Sequence, residues 1–473
     1  MFESTQHFGQ ETYRVIVLES MGRDLCFIAT SAGYCLPSVD IPSQQRVAEN
    51  LAAAMRSTWD CDVVCLFEPD LHSSVAADSG VHYQLVELSG VRPPQMVPVP
   101  VSSLSRHCFR DVADYVALGV ALSQCERAAC SPHEAPFARI GWLSQLCEWI
   151  EAAIHPLALK SDIAIRQLNA SPTFSLIRFE TSGPPVWFKA VGAPNKRELP
   201  ITLTLARLFP RHVPRVLATR PEWNGWLSEE VPGGNLGDSQ DVVHWVTTSV
   251  SLAQLQIESL DAQCQLLDAG ARDFRVPVLL DIVGPLLDVM AALMAKQTKA
   301  FPDPLTRQEV LALKDPIFDA LRELQTLAVP DALGHLDLNP GNVIVSPKAC
   351  RFLDWSEAYL GHPFYSFVHL LEHFRRTQSW SALTDAQVTS AYTSAWQTLC
   401  SCRHVARAML LAPLLAVFTY TAGYDAWRDE RQLQDAKTAA YLRSLTRRIK
   451  REAEQLAHSK EQIHTCQLEL LKP

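Results

Sequence analysis

Apolar residues run together or alternate with polar ones in short β-type stretches over the first part of the chain. Residues 13–18, 25–30, 62–67 and 82–88 read as strands, the first two as a hairpin. Residues 44–59 set Val47, Leu51, Ala54 and Met55 on one helical face, and 112–125 read as a second helix. The proline-rich piece 91–100 reads as a surface connection. After a polar break at 128–135, an amphipathic helix is predicted from 136 to about 155, its stripe being Trp142, Leu146, Trp149, Ile150 and Ile154. Strand-like runs follow at 163–168, 174–180 and 185–191, then a helix opening at Glu198, then strand-like runs at 213–217 and 226–231. Helical period dominates from there: 242–260, 274–296, 305–327, 380–400, 406–427 and 433–456. Its one β-rich interruption is 342–345 and 351–355, joined by the turn residues 346–349. A β-rich first part and a helical second part predict an α+β chain.

At 473 residues two or three domains are expected. Hydrophobic residues at 48% and charged residues at 20% give a soluble, globular composition. The net charge of −9 argues against a nucleic-acid partner and mildly favours a cationic or neutral substrate. The 13 cysteines, with Cys61/Cys65 and Cys400/Cys402 as the nearest pairs, lack zinc-site spacing and read as free, largely buried thiols of a reducing cytosol. Residues 1–10 have no basic segment leading into an apolar one, and the longest apolar stretch, 408–420, contains Pro413 and is too short to span a bilayer. A cytoplasmic protein without a membrane partner is expected.

The chemistry gathers in residues 333–355, where Asp337, Asn342 and Asp354 surround the β-rich interruption. Pro340 and Gly341 keep the segment from continuing as a helix, so Asp337 and Asn342 can converge. Phosphoryl transfer needs such a set: one carboxylate to accept a hydroxyl proton, and hard oxygens to hold Mg²⁺ against phosphates. The plainer reading is a polar loop between core strands. Upstream, Lys189 lies inside an apolar strand and Glu198 opens the next helix nine residues on. Lys189 needs a partner there, unless it is a strand-edge lysine reaching solvent.

His335-x-Asp337-x4-Asn342, followed by apolar-apolar-Asp354, resembles the catalytic core of the aminoglycoside phosphotransferases and choline kinases, small-molecule relatives of protein kinases. The resemblance implies a protein-kinase-like two-lobe fold, with a small β-rich N-lobe at 161–232, a large helical C-lobe at 233–473, and 131–160 as linker and lead-in helix. It implies ATP and Mg²⁺ as cofactors and a small-molecule hydroxyl as acceptor. Asp337 would be the catalytic base, and Asn342 and Asp354 the metal ligands. Lys189, paired with Glu198, would steady the phosphates, and the backbone from Glu229 to Val231 would meet adenine.

Three departures motivate a competing reading, a non-catalytic nucleotide-binding pseudokinase or scaffold. The turn 169–173 has no glycine, Leu336 stands where His-Gly-Asp has glycine, and Ser366 stands where the relatives carry an aspartate. Ser171 and Thr173 are the hydroxyls that turn offers to phosphate. Glu357, Glu372 and Asp425 are candidates to face a cationic acceptor, the plainer reading being solvated helix residues. In residues 1–130, strands, Leu36-Pro37, a helix and the strand 62–67 resemble Nudix hydrolases, which hold metal on a helix through clustered glutamates. Only Glu49 is available on that helix, so a small Nudix-like α/β domain without the chemistry is expected.

Overall fold

The structure, a computed structural model, describes residues 9–19, 24–43, 46–71, 81–131, 134–157, 159, 161–346 and 349–470. It comprises two compact units, Met1–Leu199 with Arg215–Glu230, and Pro200–Pro214 with Val231–Pro473.

The first unit opens with β1 (Gln10–Leu18), β2 (Asp24–Thr30), β3 (Gly33–Cys35), β4 (Ser38–Pro42), α1 (Val47–Trp59), β5 (Val63–Phe67), β6 (His82–Leu88), β7 (Val97–Pro100) and α2 (Val112–Cys130). Its sheet runs β3-β2-β1-β6-β5, with β4 on β1 and β7 on β2. β1 is parallel to β6 and central, so Val15, Ile16, Val17 and Leu18 are all buried, as a strand covered on both faces requires. Leu51 and Met55 of α1 cover one face. The strands β3, β4 and β7 are additions to the sequence reading. β7 lies inside the piece expected to be a surface connection, because a sheet margin tolerates the missing donors of Pro98 and Pro100.

The predicted helix from 136 starts instead as a 3-10 turn, Pro136–Ala138, and becomes α3 (Trp142–Ile154) after Gly141, whose φ is 77°. Trp142, Leu146, Ile150 and Ile154 are buried as the stripe demands. They join a single core that includes Ile16 and Phe27 of the first sheet and Ile177, Phe188 and Leu227 of a second one. That second sheet holds β8 (Ser161–Ala170), β9 (Phe174–Thr181), β10 (Val186–Val191), β11 (Val216–Arg220) and β12 (Gly225–Glu229), in the order β11-β12-β10-β9-β8. The Gln167 amide ties the sheets together, accepting the Cys65 N–H at 2.7 Å and donating to its carbonyl at 2.9 Å. Helix α4 (Glu198–Leu208) begins in this unit.

The second unit is mainly helical: α5 (Val242–Glu258), α6 (Gln263–Asp268), α7 (Val276–Ala295), α8 (Arg307–Leu311), α9 (Lys314–Thr326), α10 (Phe364–Phe374), α11 (Ala382–Trp396), α12 (Cys402–Gly423), α13 (Glu430–Gln434) and α14 (Ala436–Leu470). Two small sheets are set among them. One joins β13 (Gly234–Asn235), β16 (Val343–Ser346) and β17 (Ala349–Phe352); the other runs β14 (Arg272–Phe274), β18 (Ala358–Gly361), β15 (Ala332–His335). Helices α7 and α12 are long and apolar enough to cross a membrane, yet Val283, Leu286 and Met290 of α7 and Leu411, Leu415 and Phe418 of α12 pack in this unit's core. The stretch 408–420 is therefore part of a core helix, Pro413 included.

Candidate active site

The stretch 333–355 is positioned by β15, which pairs antiparallel with β18, His335 opposite Ala358. The pairing is tight enough that a Cβ on Gly334 would lie 1.9 Å from the Tyr359 ring. Next in the chain, the fully buried His335 donates from Nε2–H to the Leu353 carbonyl at 3.0 Å and packs its ring on Trp355 at 4.9 Å. Its backbone N–H donates to Ser366 Oγ at 2.8 Å. His335 thus ties β15 both to the Leu353 backbone and to Ser366 on α10, a structural role.

Two of the three departures from the family pattern are accommodated here. Ser366 is fully buried, accepts the His335 N–H and lies 3.1 Å from the Tyr359 hydroxyl, so the segment is anchored without a carboxylate. Leu336 takes a backbone conformation outside the left-handed region, and its N–H donates to the Glu357 carbonyl at 3.0 Å. Its side chain is buried against α12, where a Cβ on Gly423 would sit 2.4 Å from Leu336 Cδ1. The missing glycine of the loop is matched by a glycine on the helix it packs against. Removing the Ser366 hydroxyl should strand a buried N–H: Ser366→Ala is expected to lose about 1–3 kcal/mol in urea unfolding. No change beyond experimental error would mean that another acceptor serves His335.

Past Leu336 the chain turns outward. The Asp337 carboxylate is exposed and accepts from Asn339 Nδ2 at 3.2 Å. Asn339 also caps the 3-10 turn Pro340–Asn342, its Oδ1 accepting the Gly341 N–H at 2.9 Å. Asn342 Nδ2 donates to the backbone carbonyl of Asp337 at 3.0 Å, and the Asn342 carbonyl accepts the Leu353 N–H at 2.8 Å. Those two bonds bring Asp337, Asn342 and the residue before Asp354 together. Asp354 adopts φ 60° and ψ 61°, a left-handed conformation costing roughly 1–2 kcal/mol in L-residues other than Gly, Asn and Asp. The β-rich run therefore ends at Phe352, two residues before the carboxylate, and Ser356 Oγ donates to Asp354 Oδ1 at 3.2 Å. With its nitrogen committed to Asp337, Asn342 has its amide oxygen left for a ligand. An amide oxygen and a carboxylate are the hard donors that Mg²⁺ takes when phosphates complete its shell. The flanking support comes from Asn235 Nδ2, 2.9 Å from the Gly341 carbonyl, and from Gly233 at φ 142°, where a Cβ would meet the Val345 carbonyl oxygen at 2.4 Å.

Lys189 and Glu198 lie in the first unit. β10 is hydrogen-bonded on both sides, with Lys189 opposite Leu176 and Trp226, so Lys189 is on an inner strand and not at an edge. Its Nζ is 2.5 Å from Glu198 Oε1 and 5.7 Å from the Trp226 ring centroid. The Glu198 side chain is only 2% exposed. Glu229 ends β12 and donates its N–H to the Arg215 carbonyl at 3.1 Å, and the half-buried Val231 begins the long segment of the second unit. In the glycine-free turn, Ser171 Oγ accepts the turn's own N–H groups of Phe174 at 2.9 Å and Thr173 at 3.3 Å. The Ser171 oxygen thus closes its own turn as an acceptor, which leaves the hydroxyl's O–H as the donor it can offer to phosphate.

The acidic residues considered for a cationic acceptor are ion-paired, Asp425 remaining exposed to solvent as well. Arg272 holds both Glu357, at 3.1 Å, and Asp425, at 2.6 Å, while Arg448 holds Glu372. In the first unit, Glu49 is bound by Arg166 Nε at 2.8 Å. Among the described residues no group of three His, Cys, Asp or Glu side chains is placed to hold a metal. The described cysteines are free thiols, and burial pushes Cys61 up to about 11 and Cys65 to about 12. Asp331, immediately before β15, is raised by burial to about 6, against the pull of Arg275. A carboxyl raised on folding favours the folded state below its unfolded pKa, and that advantage is lost as pH climbs through the folded value. Asp331→Asn should therefore stabilise by roughly 3 kcal/mol at pH 7.5 and by little at pH 4. Equal effects at both pH values would rule out this origin.

Residues 195–402 match the phosphotransferase enzyme family. The segment contains Glu198, Glu229, Val231, Asp337, Asn342 and Asp354; Lys189 lies just before it. Solved structures similar to the chain include choline kinase LicA from Streptococcus pneumoniae, with 14% identity, TM-score 0.43, and coverage of 66% of this chain and 99% of that one. A putative aminoglycoside phosphotransferase from Ralstonia eutropha JMP134 gives 16%, 0.44, 65% and 98%. A Plasmodium vivax ethanolamine kinase gives 11%, 0.42, 60% and 82%. No curated protein matches the chain. The matched segment holds Asp337, Asn342 and Asp354, together with the braces Ser366, Tyr359 and His335 that sequence spacing alone did not connect to them.

Proposed function

We propose that the chain is an ATP- and Mg²⁺-dependent phosphotransferase that moves the γ-phosphoryl group to a hydroxyl of a small molecule. The observation that carries this reading is the Asp337–Asn342–Leu353 linkage, which sets a carboxylate, an amide oxygen and the Asp354 carboxylate on one short stretch of a phosphotransferase-family segment. In this reading Asp337 orients the acceptor hydroxyl and takes its proton as the oxygen attacks phosphorus, and ADP departs. Asn342 and Asp354 hold Mg²⁺, which neutralises phosphate charge when bound. Lys189, fixed by Glu198, steadies the phosphates, and the backbone from Glu229 to Val231 meets adenine. Residues 161–232 form the N-lobe and 233–473 the C-lobe of a kinase-like enzyme of the cytoplasm, with 131–160 leading in. Residues 1–130 are a Nudix-like domain without chemistry of its own.

The pseudokinase alternative draws less support once Leu336 and Ser366 are seen to be housed by Gly423 and Tyr359. Thermal unfolding with and without ATP·Mg²⁺, on wild type and Asp354→Ala, decides between outcomes. Ligand at a hundred times its Kd adds about 2.7 kcal/mol to the unit that binds it. A Tm shift in wild type that shrinks in Asp354→Ala is expected. Equal shifts in both would remove Asp354 from the metal site, and no shift in either would remove the nucleotide.

A further inference from the structure

The turn between β8 and β9 is held from outside as well as from within. Besides the bonds to Ser171 Oγ, the Ser171 N–H donates to the Phe174 carbonyl at 2.9 Å, closing the turn on itself. On one side the Gly192 N–H donates to the Thr173 carbonyl at 2.7 Å, and a Cβ on Gly192 would lie 2.4 Å from Thr173 Cβ. On another side the Phe137 N–H donates to the Pro172 carbonyl at 3.1 Å.

Phe137 is itself immobilised. Its ring is buried against Trp142 at 4.9 Å, Trp223 at 5.6 Å and Phe188 at 6.4 Å. Phe188 neighbours Lys189 on β10 and, by strand alternation, points to the opposite face of the sheet. The segment carrying Phe137 is tied in turn to the first sheet. The buried carboxylate of Glu87 on β6 accepts the Gly141 N–H at 3.3 Å, at the start of α3. A chain of bonds thus runs from the N-terminal sheet through Gly141 and Phe137 to Pro172.

A glycine-rich phosphate loop is mobile and loses conformational freedom when it closes on its ligand. Here Pro172 and three sets of tethers have removed that freedom before any ligand arrives. We propose that Phe137 and Gly192 are positioning residues that hold the β8–β9 turn as a preset support for nucleotide phosphates. The first sheet, through Glu87 and Gly141, is then part of the nucleotide site's scaffold. This rests on the phosphotransferase reading above and on the expectation from the sequence that the Ser171 and Thr173 hydroxyls are what this turn offers to phosphate. It adds a role for the N-terminal region that needs no catalysis there, since a rigid turn raises affinity by lowering the ordering cost of binding.

The test uses the full chain and two variants acting on different sides of the turn. Gly192→Ala pushes on Thr173 without touching the aromatic core; Phe137→Leu keeps an apolar side chain while loosening the tether. Titration calorimetry is run with ATP·Mg²⁺ and, separately, with adenosine, which has no phosphate. Hydrogen exchange follows the Phe174 and Gly192 amides. Both variants should exchange faster at those amides and bind ATP·Mg²⁺ about tenfold more weakly, with adenosine affinity unchanged. Equal losses for ATP and adenosine would make the effect general destabilisation, and unchanged ATP affinity would also overturn the proposal. Wild type that binds no ATP would instead sink the nucleotide reading, and this proposal with it.

Discussion

Asp337→Asn is expected to slow phosphoryl transfer by about two to four orders of magnitude while leaving ATP·Mg²⁺ bound, the usual scale of a lost general base. The reason lies in which atoms of Asp337 do what. Its backbone carbonyl, not its carboxylate, receives the Asn342 side chain, so the substitution leaves the proposed metal ligand in place. The neighbouring Asn339 Nδ2 is 3.2 Å from Asp337 Oδ2, and an amide oxygen in that position accepts the same bond. What is lost is the basic oxygen alone. The assay is acceptor-dependent ADP release across a panel of aminoglycosides, choline and ethanolamine, with calorimetry on the same preparations. Wild-type turnover in Asp337→Asn with any acceptor that supports turnover would end the proposed role. Loss of ATP binding with loss of turnover would mean that the carboxylate shapes the nucleotide site instead.

The parts of this site legible in the sequence are those set by short spacing. Asp337, Asn342 and Asp354 share one stretch, and Lys189 and Glu198 are nine residues apart, so local pattern located them. Their braces are distant in sequence: Ser366 is 31 residues from His335, and Gly423 comes later still. No periodicity announces that a leucine in the loop will be matched by a glycine on a remote helix. Helix α10 is a different case: Ser366, His369 and His373 recur at helical spacing in Phe364–Phe374, but the segment is only 11 residues long and follows directly on the β-rich interruption. Amphipathic α3 was legible from its stripe, but its start was not, since Gly141 and the preceding 3-10 turn displace it by six residues from Pro136 to Trp142. The pairing of Arg272 with both Glu357 and Asp425 was equally out of reach, because three separate elements supply it.

Breaking the Lys189–Glu198 pair should have the largest effect on stability in the first unit. Glu198 is almost wholly buried and Lys189 nearly so, with 2% and 14% of their side chains exposed. Removing one member of such a pair leaves a buried charge less well compensated, a loss of up to about 3–5 kcal/mol. Glu198→Ala and Lys189→Met are each expected to fall in that range by denaturant unfolding. Replacing both with apolar residues, Lys189→Met with Glu198→Leu, removes the stranded charge and should recover most of the stability. ATP·Mg²⁺ binding should not return with it, because the recovered fold lacks the ammonium proposed to meet the phosphates. This double variant separates two roles that either single variant confounds. A stable double variant that still binds ATP·Mg²⁺ as wild type does would leave Lys189 only a structural part. A double variant no more stable than the singles would show that the pair is integrated with its surroundings, such as the Trp226 ring 5.7 Å from Nζ, more deeply than charge pairing alone.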